Sequence, residues 1–181
     1  MKYYISLELS DLPSEIKGIL KKVRGAYKSG YRGPLSYHVT LVGYSAGKNI
    51  PKREFIQAVE NLNPIEIRST KIKRQKIRKS TNTYIIYSNV LSTKPLKRAN
   101  TIFYKVVKRH KTKIDKRWEP ENFKPHLTLI FSLVDKTGSA WEMLRDVNVR
   151  FSIKTNFIRV YKIYANKSKP IKVAYSAHID T

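Results

Sequence analysis

Apolar and polar residues alternate along "YHVTLVG", residues 37–43, and again along "PHLTLIF", residues 125–131. Period-two alternation marks a strand with one buried face and one open face. In the first stretch Val39 and Leu41 fall on one face, and His38, Thr40 and Val42 on the other. In the second, Leu127 and Leu129 oppose His126 and Thr128. Residues 2–9 also suit a strand. Elsewhere the apolar period becomes helical. Ile16, Ile19, Leu20, Val23 and Tyr27 predict an amphipathic helix over 13–28, opened by Asp11 and Pro13. Pro51 opens a short helix faced by Phe55, Val59 and Leu62. Leu96, Ala99, Phe103, Val106 and His110 share one stripe of a helix over 94–110. Residues 65–79 and 82–92 predict paired strands about "STN", and Trp141 with Leu144 a short helix. Residues 148–164 and 170–178 predict a hairpin about "NKSKP", while "SGYRGP", 29–34, is a loop.

Mixed helices and hairpins favour an α+β fold with antiparallel pairing over a doubly wound parallel sheet. The order strand, helix, strand carrying HVTL fills the first third of the chain. The same order returns with residues 82–92, 94–110 and the strand carrying HLTL, and the two histidines are 126 − 38 = 88 residues apart. Two copies of one unit facing across a cleft would each supply a histidine and a threonine.

Composition narrows the classes of function. The chain has 181 residues, 41% of them hydrophobic, enough for one core or two small lobes. It has no cysteine, which removes disulfides, thiolate metal sites and cysteine nucleophiles. The start, "MKYYISLELSD", is apolar for too short a run to be a signal peptide or a spanning helix, so the expected location is the cytoplasm, away from membranes. Lys and Arg number 37 against 13 Asp and Glu, a net charge of +24. Such a surface calls for a polyanion, and nucleic acid fits because each neutralised phosphate releases counterions. Lysine enrichment of the thermophile kind would bring glutamate with it, and glutamate is scarce here.

An imidazole beside a hydroxyl on the open face of each strand suits phosphodiester cleavage without a metal. One neutral histidine takes a proton from the nucleophile, and one charged histidine gives a proton to the leaving oxygen. The hydroxyls of Thr40 and Thr128 would hold the non-bridging oxygens where charge develops. His110 and Thr112 share the H-x-T spacing but end a helix among lysines, where the histidine complements the helix dipole. His178 lacks the pattern. No Asp or Glu lies within either strand motif, so a metal site is poorly supported. "KIKRQKIRK", 71–79, has basic residues on both strand faces: Lys71, Lys73 and Lys79 on one, Arg74, Lys76 and Arg78 on the other. With "KVVKRHKTKIDKR", 105–117, it forms a candidate track for an RNA backbone.

The paired H-h-T-h motifs, "HVTL" and "HLTL", resemble those of the two-histidine (2H) phosphoesterase superfamily, and within it the RNA 2′,3′-cyclic phosphodiesterases, also called 2′-5′ RNA ligases. The resemblance implies one bilobal domain over 1–181. It would have two pseudo-symmetric antiparallel sheets, helices outside and a central cleft. It implies catalytic His38 and His126, phosphate-binding Thr40 and Thr128, no cofactor or metal, and RNA ending in a 2′,3′-cyclic phosphate as substrate of a monomeric enzyme. Two departures stand out. The family usually continues its second motif as H-L-T-L-A-R, whereas here the arginine position is Phe131; and its first motif runs toward F-L-G, whereas here it runs "VGYS". They leave two rivals, a non-catalytic RNA-binding module on the same scaffold and a phosphodiesterase for small cyclic nucleotides.

Overall fold

The computed structural model describes residues 1–27, 37–78, 80–110, 112–164 and 171–179. The expected loop at 29–34, Lys79, and the turn "NKSKP" lie outside these. Each predicted helix appears where its apolar stripe placed it. α1 (Ser14–Ala26) buries Ile16, Leu20 and Val23; α2 (Lys52–Glu60) buries Phe55, Ala58 and Val59; α3 (Lys94–Arg109) buries Leu96, Ala99, Phe103 and Val106. α4 (Ser139–Arg145) is a short helix that buries Leu144 and leaves Trp141 half-buried. His110 falls just past α3, with Nε2 3.0 Å from Glu54 Oε1.

The strands are β1 (Lys2–Glu8), β2 (His38–Ser45), β3 (Ile65–Arg78), β4 (Thr83–Val90), β5 (Lys113–Ile114), β6 (His126–Val134), β7 (Phe151–Thr155), β8 (Phe157–Ile163) and β9 (Lys172–His178). All their pairings are antiparallel, in the order β7-β3-β4-β6-β2-β1-β8-β9, with β5 against the end of β2. The α+β class with antiparallel pairing is therefore the observed one. The expected strand over 148–164 is not a single strand. It breaks at Asn156; β7 joins β3, whereas β8 lies between β1 and β9. The segment thus serves both halves of the sheet, which the strand propensity of its residues could not reveal. The short β5 and the 3-10 turn Lys116–Trp118 were also not foreseen.

The centre of the sheet is its weakest seam. β2 and β6 meet at one recorded register pair, Val39 opposite Leu127. Beyond it the strands part, and β5 with the 3-10 turn occupies the gap. The sheet is thus two four-stranded halves, β2-β1-β8-β9 and β6-β4-β3-β7, hinged on the two H-x-T motifs. Val39 and Leu127 are both 0% exposed and belong to the core. Burial of each stabilises the seam by about 1.5–3 kcal/mol.

Candidate active site

The register at the seam assembles the motifs. With Val39 opposite Leu127, one step either way sets His38 opposite Thr128 and Thr40 opposite His126. Side chains directly opposite share a face, with Cβ atoms about 4.5–5.5 Å apart, and diagonal neighbours lie about 7–8 Å apart. The imidazoles are therefore diagonal, each beside the hydroxyl of the other motif. All four side chains are half-buried, whereas Val39 and Leu127 are sealed beneath them.

Both motifs end in the same irregularity. In β2 the register jumps so that Ser6 faces Thr40 while Ile5 faces Val42, leaving Leu41 as an extra residue. In β6 Tyr87 faces Thr128 while Ile86 faces Ile130, leaving Leu129 as the extra residue. Such bulges re-aim the chain beside a site. They correct one expectation: Val42 does not share the face of His38 and Thr40, because the bulge turns it toward the core with Ile5, and both are 0% exposed.

Each bulge is held from the opposite half. Arg24 Nη2 of α1 donates to the carbonyl of Leu129 at 2.6 Å, and its Nη1 donates to the Tyr37 hydroxyl at 3.2 Å. Asn100 Nδ2 of α3 donates to the carbonyl of Leu41 at 2.8 Å and to that of Trp118 at 3.1 Å. Asn100 is 0% exposed. The sequence carried a signal for it, since an asparagine four residues after Leu96 and three before Phe103 stands on the apolar stripe.

The neighbouring strands complete the face. Along β1, Ser6 lies opposite Thr40 and Glu8 opposite His38; along β4, Tyr87 lies opposite Thr128 and Asn89 opposite His126. His126 Nδ1 is 3.3 Å from the Lys124 carbonyl. A carbonyl only accepts, so Nδ1 carries the proton and Nε2 of the neutral ring keeps its lone pair. Burial lowers the pKa of His126, the Lys124 carbonyl opposes this, and the charge of Arg117 adds to the lowering. Tyr87 meets the His126 ring edge-on at 5.5 Å, and Tyr161 lies 5.7 Å from the His38 ring. Gly43 permits a close approach: a Cβ there would stand 2.8 Å from Trp118 Nε1 and 2.9 Å from Tyr4 Cε1. That packing positions the turn bearing Arg117.

The basic candidates divide by face. Lys73 is opposite Tyr87, on the same face as Thr128, whereas Lys71 falls in the register irregularity between Ser69 and Ile72 and lines a hollow with Arg145 and Arg150. Arg74 and Lys76 pair with Ile86 and Tyr84 and point the other way; Arg74 lies over Trp141 of α4, 5.0 Å from its ring centre. Arg78 ends β3. The structure therefore brings Lys73 to the histidine face, and Arg74 and Lys76 to the helix face.

No protein-family model matches the sequence, and no curated protein matches it. Solved structures do. TT0787 of Thermus thermophilus superposes with a TM-score of 0.65 at 12% identity, covering 99% of this chain and 98% of that one. E. coli LigT complexed with 3′-AMP gives 0.61 at 11% identity with the same coverage. A third neighbour, described as a phosphoesterase, gives 0.54 at 11% identity. The chain has the two-histidine phosphoesterase fold. Phe131, at the end of the second motif, is 52% exposed beside a second bulge where Ser132 has φ 59°. Two other arginines stand near the quartet. Arg117 is close enough for its charge to act on His126, and Arg159 of β8 pairs with Ser6 on the cleft face. Neither could be chosen from sequence, because both depend on long-range pairing. Among the described residues no helix is long and apolar enough to cross a membrane.

Proposed function

We propose that this protein is a phosphodiesterase that opens 2′,3′-cyclic phosphate ends of RNA to 2′-phosphomonoesters. The observation that carries the reading is the register at the seam, Val39 opposite Leu127, which sets each imidazole across from the hydroxyl of the other motif. His126, with Nδ1 held by the Lys124 carbonyl and the Nε2 lone pair left over, takes a proton from water as its oxygen attacks phosphorus. The bond from phosphorus to O3′ breaks, and His38 gives that oxygen a proton. The hydroxyls of Thr40 and Thr128 hold the non-bridging oxygens as charge builds on them. Lys73, beyond Tyr87, carries the RNA backbone away from the site. That LigT of the same fold was crystallised with 3′-AMP supports a nucleotide ligand. With a 5′-hydroxyl in place of water, the same groups perform 2′-5′ ligation.

The test is turnover of an RNA oligomer ending in a 2′,3′-cyclic phosphate, with chelator present. His38→Ala and His126→Ala should each lower the rate about 10²–10⁴-fold while the protein stays folded. Full activity in either variant would remove the mechanism. The exposed Phe131 favours one second reading, an RNA-binding module without catalysis. Salt-sensitive RNA binding unchanged in both variants, with no turnover by the wild type, would establish it. Equal rates on a mononucleoside cyclic phosphate and on the oligomer at every salt concentration would assign a small-molecule substrate instead.

A further inference from the structure

Glu8 is a buried ionisable group that the proposed reaction does not use. It lies directly across the strand pair from His38, and it is 4% exposed with both carboxylate oxygens closed to solvent. Substrate cannot touch it. Among the described residues neither oxygen has a well-formed hydrogen bond, though the Tyr161 hydroxyl lies close enough to donate toward the carboxylate. A carboxyl in that state is costly for folding and calls for an explanation. Among the described residues the groups facing it are few. Arg159 of β8 has Nη1 3.5 Å from Oε2, and the hydroxyl of Tyr161 also favours the charged carboxylate. On β9, His178 lies tilted against Phe157, the β8 partner of Glu8, with ring centres 4.6 Å apart. From β2 comes His38, and across the seam His126.

We propose that Glu8 is a positioning residue for His38, a sealed carboxylate that keeps the imidazole in its proton-donating form. An opposite charge within about 4–6 Å raises an imidazole's affinity for its proton by about one unit or more. Arg159 opposes this, but its side chain is 32% exposed and its charge is screened by solvent, whereas the carboxylate is not. The corresponding neighbour of His126 is the neutral Asn89. The difference matches the division of labour: the donor has an acid behind it and the acceptor does not. Burial raises the Glu8 carboxyl to about 7, so the charge that faces His38 develops near neutral pH.

Ring titration by NMR tests this without substrate. In the wild type the His38 ring should titrate in two steps, one of them near pH 7, and His126 in one. Glu8→Gln, which keeps the side-chain shape, should leave His38 a single step about one unit lower and His126 unmoved. A single His38 step in the wild type, or the same His38 midpoint in both proteins, overturns the proposal. Should the variant not fold, the wild-type curve alone decides. For turnover the inference rests on the proposed reaction, so the two can fail separately. There Glu8→Gln should shift only the alkaline limb of the pH profile, down by about one pH unit. A merely structural carboxyl would lower the rate at every pH and shift neither limb.

Discussion

Behind His38 the adjoining strand presents Glu8, and behind His126 the equivalent strand presents Asn89. One strand further out, the partner of Ser6 is Arg159, and the partner of Tyr87 is Lys73. The two halves of the sheet share the same motif, the same bulge after the threonine and the same kind of tie from the opposite helix. They differ in what surrounds that frame. The β1–β8 half is closed and contains a buried acid, whereas the β4–β3 half opens onto exposed lysines. A pair of chemically identical imidazoles is thereby placed in unlike surroundings. Unequal proton affinities populate one particular pair of opposite protonation states more than equal affinities would, which favours the proposed acid–base reaction.

The largest effect that separates the halves should be on stability. The Glu8 carboxyl is raised from 4.5 to about 7 on folding. A raised pKa means that the folded state binds the proton more tightly, so this contribution is fully present below pH 4.5 and is lost as pH rises through about 7. The loss is about 3 kcal/mol, from 1.36 kcal/mol per unit. Urea unfolding at pH 4 and pH 8 should therefore show Glu8→Gln gaining about that much on the wild type at the higher pH. Asn89→Ala should show no such crossover. The lowered pKa of His126 gives a slope of opposite sign, stability rising with pH up to its unfolded value, but it is common to all three proteins and cancels in the comparison. A pH-independent difference for Glu8→Gln would mean that the carboxyl is not desolvated as its surroundings indicate.

The two helix ties should differ as well, by less. Asn100→Leu leaves the carbonyls of Leu41 and Trp118 without their donor in a fully buried place, and should cost about 2 kcal/mol. Arg24 is half-buried, so water can replace its bond to the Leu129 carbonyl, and Arg24→Met should cost about 1 kcal/mol. Denaturant midpoints give both numbers. Equal losses would show that the two bulges are supported alike and that exposure does not distinguish them.

These ties show where reading the sequence succeeds and where it stops. Helical stripes such as Leu96, Ala99, Phe103 and Val106 were legible because their burial follows directly from the period. The two motifs were legible because polar residues on an otherwise apolar strand must face something polar. The bulges were not legible. Leu41 and Val42, like Leu129 and Ile130, are all apolar, so an added residue leaves the binary pattern unchanged while reversing every face beyond it. Glu8 was partly legible: with Ser6 it forms a polar alternation in an apolar strand, but its apposition to His38 depends on a pairing between separate segments. The break at Asn156 is of the same kind, because only the partners β3 and β1 show that one segment serves two halves.

The smallest effect tests the open half. Lys73 and Lys76 are three residues apart on β3, both exposed, and on opposite faces. If RNA leaves the site across Tyr87, Lys73→Ala should reduce the slope of log binding affinity against log salt by about 1, the amount expected for one lost phosphate contact. Lys76→Ala should leave the slope unchanged, because Lys76 points toward the helices and its ammonium lies 5.9 Å from the centre of the Tyr84 ring. Net charge falls equally in the two variants, so a general attraction between a cationic surface and a polyanion would weaken both alike. Only a defined path over the histidine face separates them, and a salt titration with a short oligomer is sensitive enough to measure that separation.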